Sequence, residues 1–532
     1  MKKRLICLLL LGVMSVTSFG CGNSSANGTT DGTGNNVADT EDDGVIDPIV
    51  IDKSQYGNPI GGFDAEGDLI YGGDPAVLVD GDTVYLYTGH DTSTNDSYVI
   101  PEYQCYSTKD LKTWKYEGVV MSMKDVSWGE VNSGWAGQVA KHYDAELGKD
   151  MYYLYFCSWD STDSGKQSIG VAVSESPTGP FVDKGEALVK GSFTTDETSA
   201  WNDIDPTIWI EDDANGEEHI YMVWGNSKVY VCELNQDMVS VKDIDGDGRI
   251  LFSTDVLYYK LPASFTEAPW IYRRQDENGK YYGDYYLFYA YGWREQMAYA
   301  TASADDSLLD ALWEYGDILM PPTATSNTNH PAVFDFKGKT YFIYHNGSLA
   351  NGSGFRRVAC IEELVFKDNG DIERLVETAT GINGIISTLT SAKGDALAHI
   401  KFVNSGADAA YPYKDIAVGS GFDKITEAET YWEIVPGKAD TANEYYVSIE
   451  AYNKAGLYIT ANTEATIVLA QDYDGKQAEA QTFKTVEGLA GEGVSFESVK
   501  YEGMYLTLAD GVASLTDGSN KEACTFNIET IK

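Results

Sequence analysis

The chain has 532 residues, with 38 Lys and Arg against 82 Asp and Glu, a formal net charge of −44. At roughly 100–200 residues per domain this length holds two or three domains, although one large β domain can take up much of it. So negative a field repels nucleic acid and anionic lipid and suits a neutral substrate, which sets nucleic-acid binding aside.

The N-terminus reads MKKRLICLLLLGVMSVTSFGCG. Lys2, Lys3 and Arg4 precede an apolar run too short for a spanning helix and then small residues, the pattern of an export signal over residues 1–21. Gly20-Cys21 resembles a bacterial lipoprotein cleavage site, with Ser18 where such signals usually carry Leu or Val. Residues 22–54 read as a flexible polar tether. Acylation of Cys21 would hold the protein on the outer face of a bacterial cell membrane; ordinary secretion is the alternative. Beyond Cys7 and Cys21, the cysteines at 105, 157, 232, 360 and 524 are odd in number, scattered and without a C-x-x-C, so buried free thiols are expected.

Five segments then pair a short apolar run with a polar turn and an aromatic strand, starting at Asp74, Gly137, Asp205, Glu267 and His330 and recurring about every 55–70 residues. Val, Ile, Tyr and Trp dominate the runs. Five such units predict an all-β, five-bladed β-propeller over residues 55–390. Asp74, Asp205 and His330 directly precede a proline and Glu267 precedes Ala-Pro, while the second unit has Gln138-Val139. Rotation about a propeller axis brings such equivalent positions to one mouth of the channel.

From residue 391 to 532, three ladders of about 40–50 residues each close on an aromatic residue, Trp432, Phe483 and Phe526, which predicts a β-trefoil-like domain. Ala455-Gly456-Leu457-Tyr458-Ile459 and Glu502-Gly503-Met504-Tyr505-Leu506 match between copies.

Two carboxylates across a pocket are what glycosidic cleavage requires, one to protonate the departing oxygen and one to activate water on the opposite face. A third carboxyl nearby disfavours ionisation of the acid. Asp74, Asp205 and Glu267 fit that set. A single Asp-Pro would read as a turn; three at corresponding repeat positions do not.

On these residues the chain resembles glycoside hydrolase family 43, the five-bladed inverting arabinofuranosidase, xylosidase and arabinanase group. GGDPAVLVDGDTVYLY, DIDPTIWIEDD and FTEAPWIYRR resemble that family's segments for the general base, the pKa-modulating aspartate and the general acid. The resemblance thus implies Asp74 as base, Asp205 as modulator and Glu267 as acid. Asp203 lies on the same strand face as Asp205, but Asp205 precedes Pro206 as Asp74 precedes Pro75. The Trp135-Ala136-Gly137 segment departs from the family's Trp-Ala-Pro.

Trp135, Trp201, Trp270 and Trp293 are candidate sugar-stacking residues, with core packing as the alternative, and the resemblance implies substrate contact for Arg356. His330 resembles the axial histidine beside a channel ion, so a calcium ion there is a candidate and no other cofactor is required. DIDGDGRI from Asp243 has calcium-loop spacing but Thr254 in place of the bidentate carboxylate, and reads as a surface turn. The C-terminal domain resembles arabinofuranose-binding modules; simple packing is its alternative.

The resemblance implies an exported monomeric glycosidase acting on arabinose- or xylose-containing plant cell-wall polysaccharide or its fragments, with α-L-arabinofuranosidase ahead of β-xylosidase and endo-arabinanase. A retaining fructosidase would carry Asn-Asp-Pro-Asn-Gly and Arg-Asp-Pro motifs where this chain has Gly73-Asp74-Pro75-Ala76 and Ile204-Asp205-Pro206. A sugar-binding lipoprotein without turnover is the non-enzymatic alternative.

Overall fold

The structure is a computed structural model that describes residues 46–531 except 164, 195–199, 262 and 403–411. The export signal, Cys21 and the tether as far as residue 45 lie outside the described residues.

Regular structure among the described residues consists of strands joined by short 3-10 turns. Five antiparallel sheets follow one another, with innermost strands Gly72–Asp80, Gly137–Asp144, Thr207–Asp212, Glu267–Gln275 and Ala332–Phe336. Each innermost strand packs on the next, and the fifth packs on the first, so the ring closes as a five-bladed propeller. Four blades have four strands and the fifth has three. A bridge between Ile60 and Ala359 lays the N-terminal segment along that fifth blade and closes the ring.

The apolar alternation read from the sequence packs between blades. Leu86, Phe288, Phe342 and Ile343 lie in one fully buried cluster, and Tyr155, Trp224, Tyr230 and Cys232 in another. All five described cysteines are buried and free.

The C-terminal domain is a single system of twelve strands from Ser387–Ser391 to Phe526–Thr530. Trp432, Phe483 and Phe526 meet in its core, fully buried, each just after a 3-10 turn. This is the trefoil-like arrangement that three closing aromatics predict. The strand Ser387–Ser391 pairs with Phe526–Thr530, so the domain begins a few residues before the expected boundary at 391.

The tether expected to run to residue 54 is shorter. Pro48 bridges to Val486, Ile49 N donates to Thr485 O and Ser54 N to Ile434 O, which lays residues 46–54 along the C-terminal domain. Ile49 and Ile51 pack on its core, apolar residues in a stretch whose polarity otherwise suggested a linker.

Candidate active site

Asp74, Asp205 and Ala268 each precede a proline, and each adopts a left-handed backbone, with φ of 52°, 59° and 60°. A residue before proline normally takes extended geometry, and left-handed strain at a non-glycine costs on the order of 1–3 kcal/mol. In blades one and four this conformation coincides with a break in ladder register, between Gly73 and Ala76 and between Glu267 and Trp270. Glu267 therefore sits one residue ahead of the position that Asp74, Asp205 and His330 share.

Asp74 is surrounded by cationic and imidazole groups. Arg357 Nη1 donates to its Oδ1 at 2.6 Å, His345 Nδ1 lies 3.6 Å away and His330 Nδ1 4.0 Å away. Burial alone would raise the carboxyl, but Arg357, His345 and His330 hold it below the ordinary carboxylate range. Arg357, 2 % exposed, is itself fixed by Asp91, which accepts from its Nε at 2.8 Å and Nη2 at 2.9 Å. Burial lowers His330 to about 4, which leaves its ring neutral at ordinary pH.

The Glu267 side is the opposite environment. Glu267 is half-buried, and Asn226 Nδ2 donates to its Oε2 at 2.8 Å. Burial and the Asp74 charge raise its carboxyl to about 7. Asp205 is buried, and its Oδ2 accepts from Ala268 N at 2.9 Å, directly beside Glu267 in the chain. A fourth carboxyl, Glu295, hydrogen-bonds Glu267 and accepts from Asn329 N at 2.7 Å on Oε2. Burial and the Glu267 charge hold both Asp205 and Glu295 above the usual range. Three carboxyls in one buried contact cannot all ionise, so protons are retained here while Asp74 stays an anion. Asp203 serves elsewhere, accepting from Trp224 Nε1 and Thr194 Oγ1.

Of the four tryptophans, Trp270 is corrected to a core residue: it lies in the propeller core and donates from Nε1 to Val333 O. Trp135 and Trp201 belong to an edge-to-face series, Tyr98–Trp135–Trp159–Trp201, with centroids 5.8–6.4 Å apart. Phe355 extends the series at 4.8 Å from Tyr98. Trp201 is 46 % exposed and Trp293 69 %. Arg356 turns away from the carboxylates and donates to the carbonyls of Asn351 and Ser93; the arginine on Asp74 is its neighbour.

Sequence reading missed Arg357, Asp91, His345, Glu295 and Tyr98. Arg356 and Arg357 stand side by side in an irregular stretch just before the strand Val358–Leu364, and only the fold decides which of them reaches the channel. Glu295 is the last residue of the turn between the strands Tyr281–Tyr291 and Gln296–Ala302 and carries no repeat signature.

The candidate ion at His330 finds no support in its surroundings. Among the described residues, the groups that bring three ligating side chains together are Asp213 with Glu217 and His219, and Asp243 with Asp245 and Asp247. His330 instead faces Asp74, which is already paired with Arg357. In the 243–248 turn, Asp243 accepts from the amides of Gly246 and Gly248 and Asp247 pairs with Arg249, as a surface turn does.

Residues 70–372 match the family described as Glycosyl hydrolases family 43, and residues 402–528 match the Alpha-L-arabinofuranosidase B (ABFB) domain. The chain is similar to a xylosidase/arabinosidase of Bacteroides ovatus, 29% identical over 343 residues, 57% of this chain and 94% of that one. It is also similar to a beta-D-galactofuranosidase of Aspergillus niger, 30% identical over 294 residues, 53% of this chain and 76% of the relative. Among solved structures, an alpha-L-arabinofuranosidase of Clostridium thermocellum aligns at 28% identity and a TM-score of 0.44, covering 58% of this chain and 94% of that one.

Proposed function

The chain belongs to glycosyl hydrolase family 43, and on that premise we propose that its propeller releases α-L-arabinofuranosyl units from arabinoxylan, arabinan or their fragments, with inversion at the anomeric carbon. The observation that carries the reading is the opposite setting of two accessible carboxyls, Asp74 on Arg357 and Glu267 among other acids.

Asp74, kept ionised, takes a proton from water, and that water attacks the anomeric carbon from the face opposite the leaving group. Glu267, kept protonated, gives its proton to the departing oxygen. Asp205 fixes the backbone beside Glu267 through Ala268 N and opposes ionisation of the acid, while Glu295 hydrogen-bonds and aligns it. Every proton in this scheme rests on a side chain or on the attacking water.

The furanose preference is supported by the ABFB match and by relatives named arabinosidase and galactofuranosidase. β-Xylosidase and endo-arabinanase activity would use the same carboxylates. Release of Cys21 as a lipidated N-terminus would place the enzyme on the outer face of a bacterial membrane, a reading that rests on the leader sequence.

The test is hydrolysis of paired aryl α-L-arabinofuranoside and aryl β-D-xyloside by protein lacking residues 1–45, with Glu267→Gln alongside and the first-formed anomer read by proton NMR. Turnover of the arabinofuranoside that collapses in the variant and yields the inverted anomer is expected. Equal turnover in the variant would overturn the assignment of Glu267. Sugar binding without turnover would point to a glycan-capture protein.

A further inference from the structure

Arg357 and Phe355 reach the site from one irregular segment, residues 347–357, sequence GSLANGSGFRR. Its close turns depend on glycine: a Cβ on Gly352 would stand 2.3 Å from Gly347 O. The inner end is well held, since Asp91 grips Arg357 and Gly72 N donates to Arg357 O at 2.7 Å. The outer end is held from both sides: within the propeller Gly347 N donates to Thr325 Oγ1 at 2.9 Å and Tyr71 Oη donates to Ala350 O at 2.8 Å, and the other domain supplies the rest.

Gln471, fully buried at the end of the strand Ile467–Gln471, donates from Nε2 to Gly347 O at 3.2 Å and to Gly352 O at 3.0 Å. The next residue, Asp472, accepts from Asn351 N on its carbonyl at 2.7 Å. Asn351 O in turn accepts from Arg356 Nε. Gly456 closes the contact: with φ of +85°, a Cβ there would lie 2.6 Å from Ser348 Cα. Three points of the C-terminal domain thus hold the outer half of a segment whose inner half ends on Asp74.

We propose that Gln471, with Asp472 and Gly456, is a positioning residue for the catalytic site: the C-terminal domain holds the 347–357 segment in the geometry that seats Arg357 on Asp74 and Phe355 against Tyr98. The domain then acts as part of the active-site wall whether or not it binds sugar. Removing the Gln471 amide frees two carbonyls in a buried seam, and buried carbonyls without partners are costly. The segment is expected to relax outward and take the two inner side chains with it.

This inference rests on the proposed catalytic role of Asp74, so the test separates the two. In the protein lacking residues 1–45, Gln471→Met removes the donor while preserving length. Thr507→Val is the control, a buried hydroxyl whose partners Tyr505, Thr516 and Cys524 all lie in the third repeat.

The expected result for Gln471→Met is a fall of about tenfold or more in kcat/KM and an acidic limb moved to higher pH, because a loosened Arg357 no longer depresses Asp74. Amide exchange across residues 347–357 should also quicken. Thr507→Val should lower Tm without these changes. If both variants lower Tm alone, and exchange in the segment stays at the wild-type rate, the proposal is overturned. Should Gln471→Met fail to fold, Gly456→Ala presses on Ser348 from the same side and must give the same three changes.

If Glu267→Gln keeps full activity, the catalytic reading fails. The exchange measurement still decides whether the C-terminal domain holds the segment.

Discussion

Arg357 donates to Asp74 at 2.6 Å across 283 positions of sequence, and the other edge of the same guanidinium is held by Asp91. The proposed base is therefore set by a three-residue charge chain from the first and fifth blades. A carboxylate paired in this way remains ionised well into acid, which keeps it able to take a proton from water while Glu267 still carries one.

Replacing Arg357 by Met removes the cation that offsets burial of Asp74. Activity on the aryl arabinofuranoside should fall by about two orders of magnitude or more, and the acidic limb of kcat/KM should move up in pH. Arg356→Met, one position away, should cost less than tenfold. Equal losses in the two variants would mean that the pairing observed for Arg357 is not what matters.

Glu267 is raised to about 7, so its proton is lost as pH passes through that value, and kcat/KM should fall above about pH 7 with the slope of a single ionisation. Asn226 and Glu295 both hydrogen-bond Glu267 and both pull it down. Asn226→Ala and Glu295→Ala should each move the alkaline limb to higher pH, with kcat reduced as the acid loses its alignment. The Asp74 charge pushes the other way, so Asp74→Asn should lower the Glu267 ionisation, readable by carbon NMR of the carboxyl in the inactive protein.

Stability carries its own pH signature. Burial raises Glu362 to about 8, and Glu450, also chiefly through burial, to about 7, from an ordinary 4.5. With the folded value above the unfolded one, their contribution is fully present below about pH 4.5 and is lost as pH rises through 7 and 8. Each such carboxyl adds a slope of about 1.4 kcal/mol per pH unit in that window. Thermal unfolding from pH 5 to 9 should show Tm falling, and Glu362→Gln should flatten the fall.

The tryptophans should separate by experiment. Trp270→Ala empties a core position and should cost about 3–5 kcal/mol of stability in denaturant unfolding. Trp201→Ala should leave stability nearly unchanged and raise KM for longer oligosaccharides several-fold, since its exposed ring ends the aromatic series. A large stability loss at Trp201 would remove it from the proposed substrate surface.

The propeller was legible because its signal is repeated. Asp-Pro, Asp-Pro, Glu-Ala-Pro and His-Pro recur at nearly equivalent positions in four of the five blades, and a ring brings such positions together. Trp432, Phe483 and Phe526 exposed the second domain in the same way. Arg357, Asp91, His345 and Glu295 were not legible, because each occurs once and acts through contacts between distant turns. Trp270 misled because a strand pattern does not say whether an indole ends in the core or at the channel mouth. The tether was overextended because Ile49 and Ile51 gain a packing surface only when the C-terminal domain stands beside them.

The clasp of residues 46–54 also bears on how the chain reaches this state. Thr485 Oγ1 donates to Ile49 O at a separation of 436 residues, and Ser54 N finds its partner at Ile434. An early strip of polypeptide must wait, unpaired, until nearly the whole chain has emerged. Contacts of such long sequence separation are slow to form and leave apolar edges open to aggregation meanwhile. Refolding should therefore end with a late N-terminal docking step, and circular permutants that join residue 46 to the C-terminus should shorten that wait.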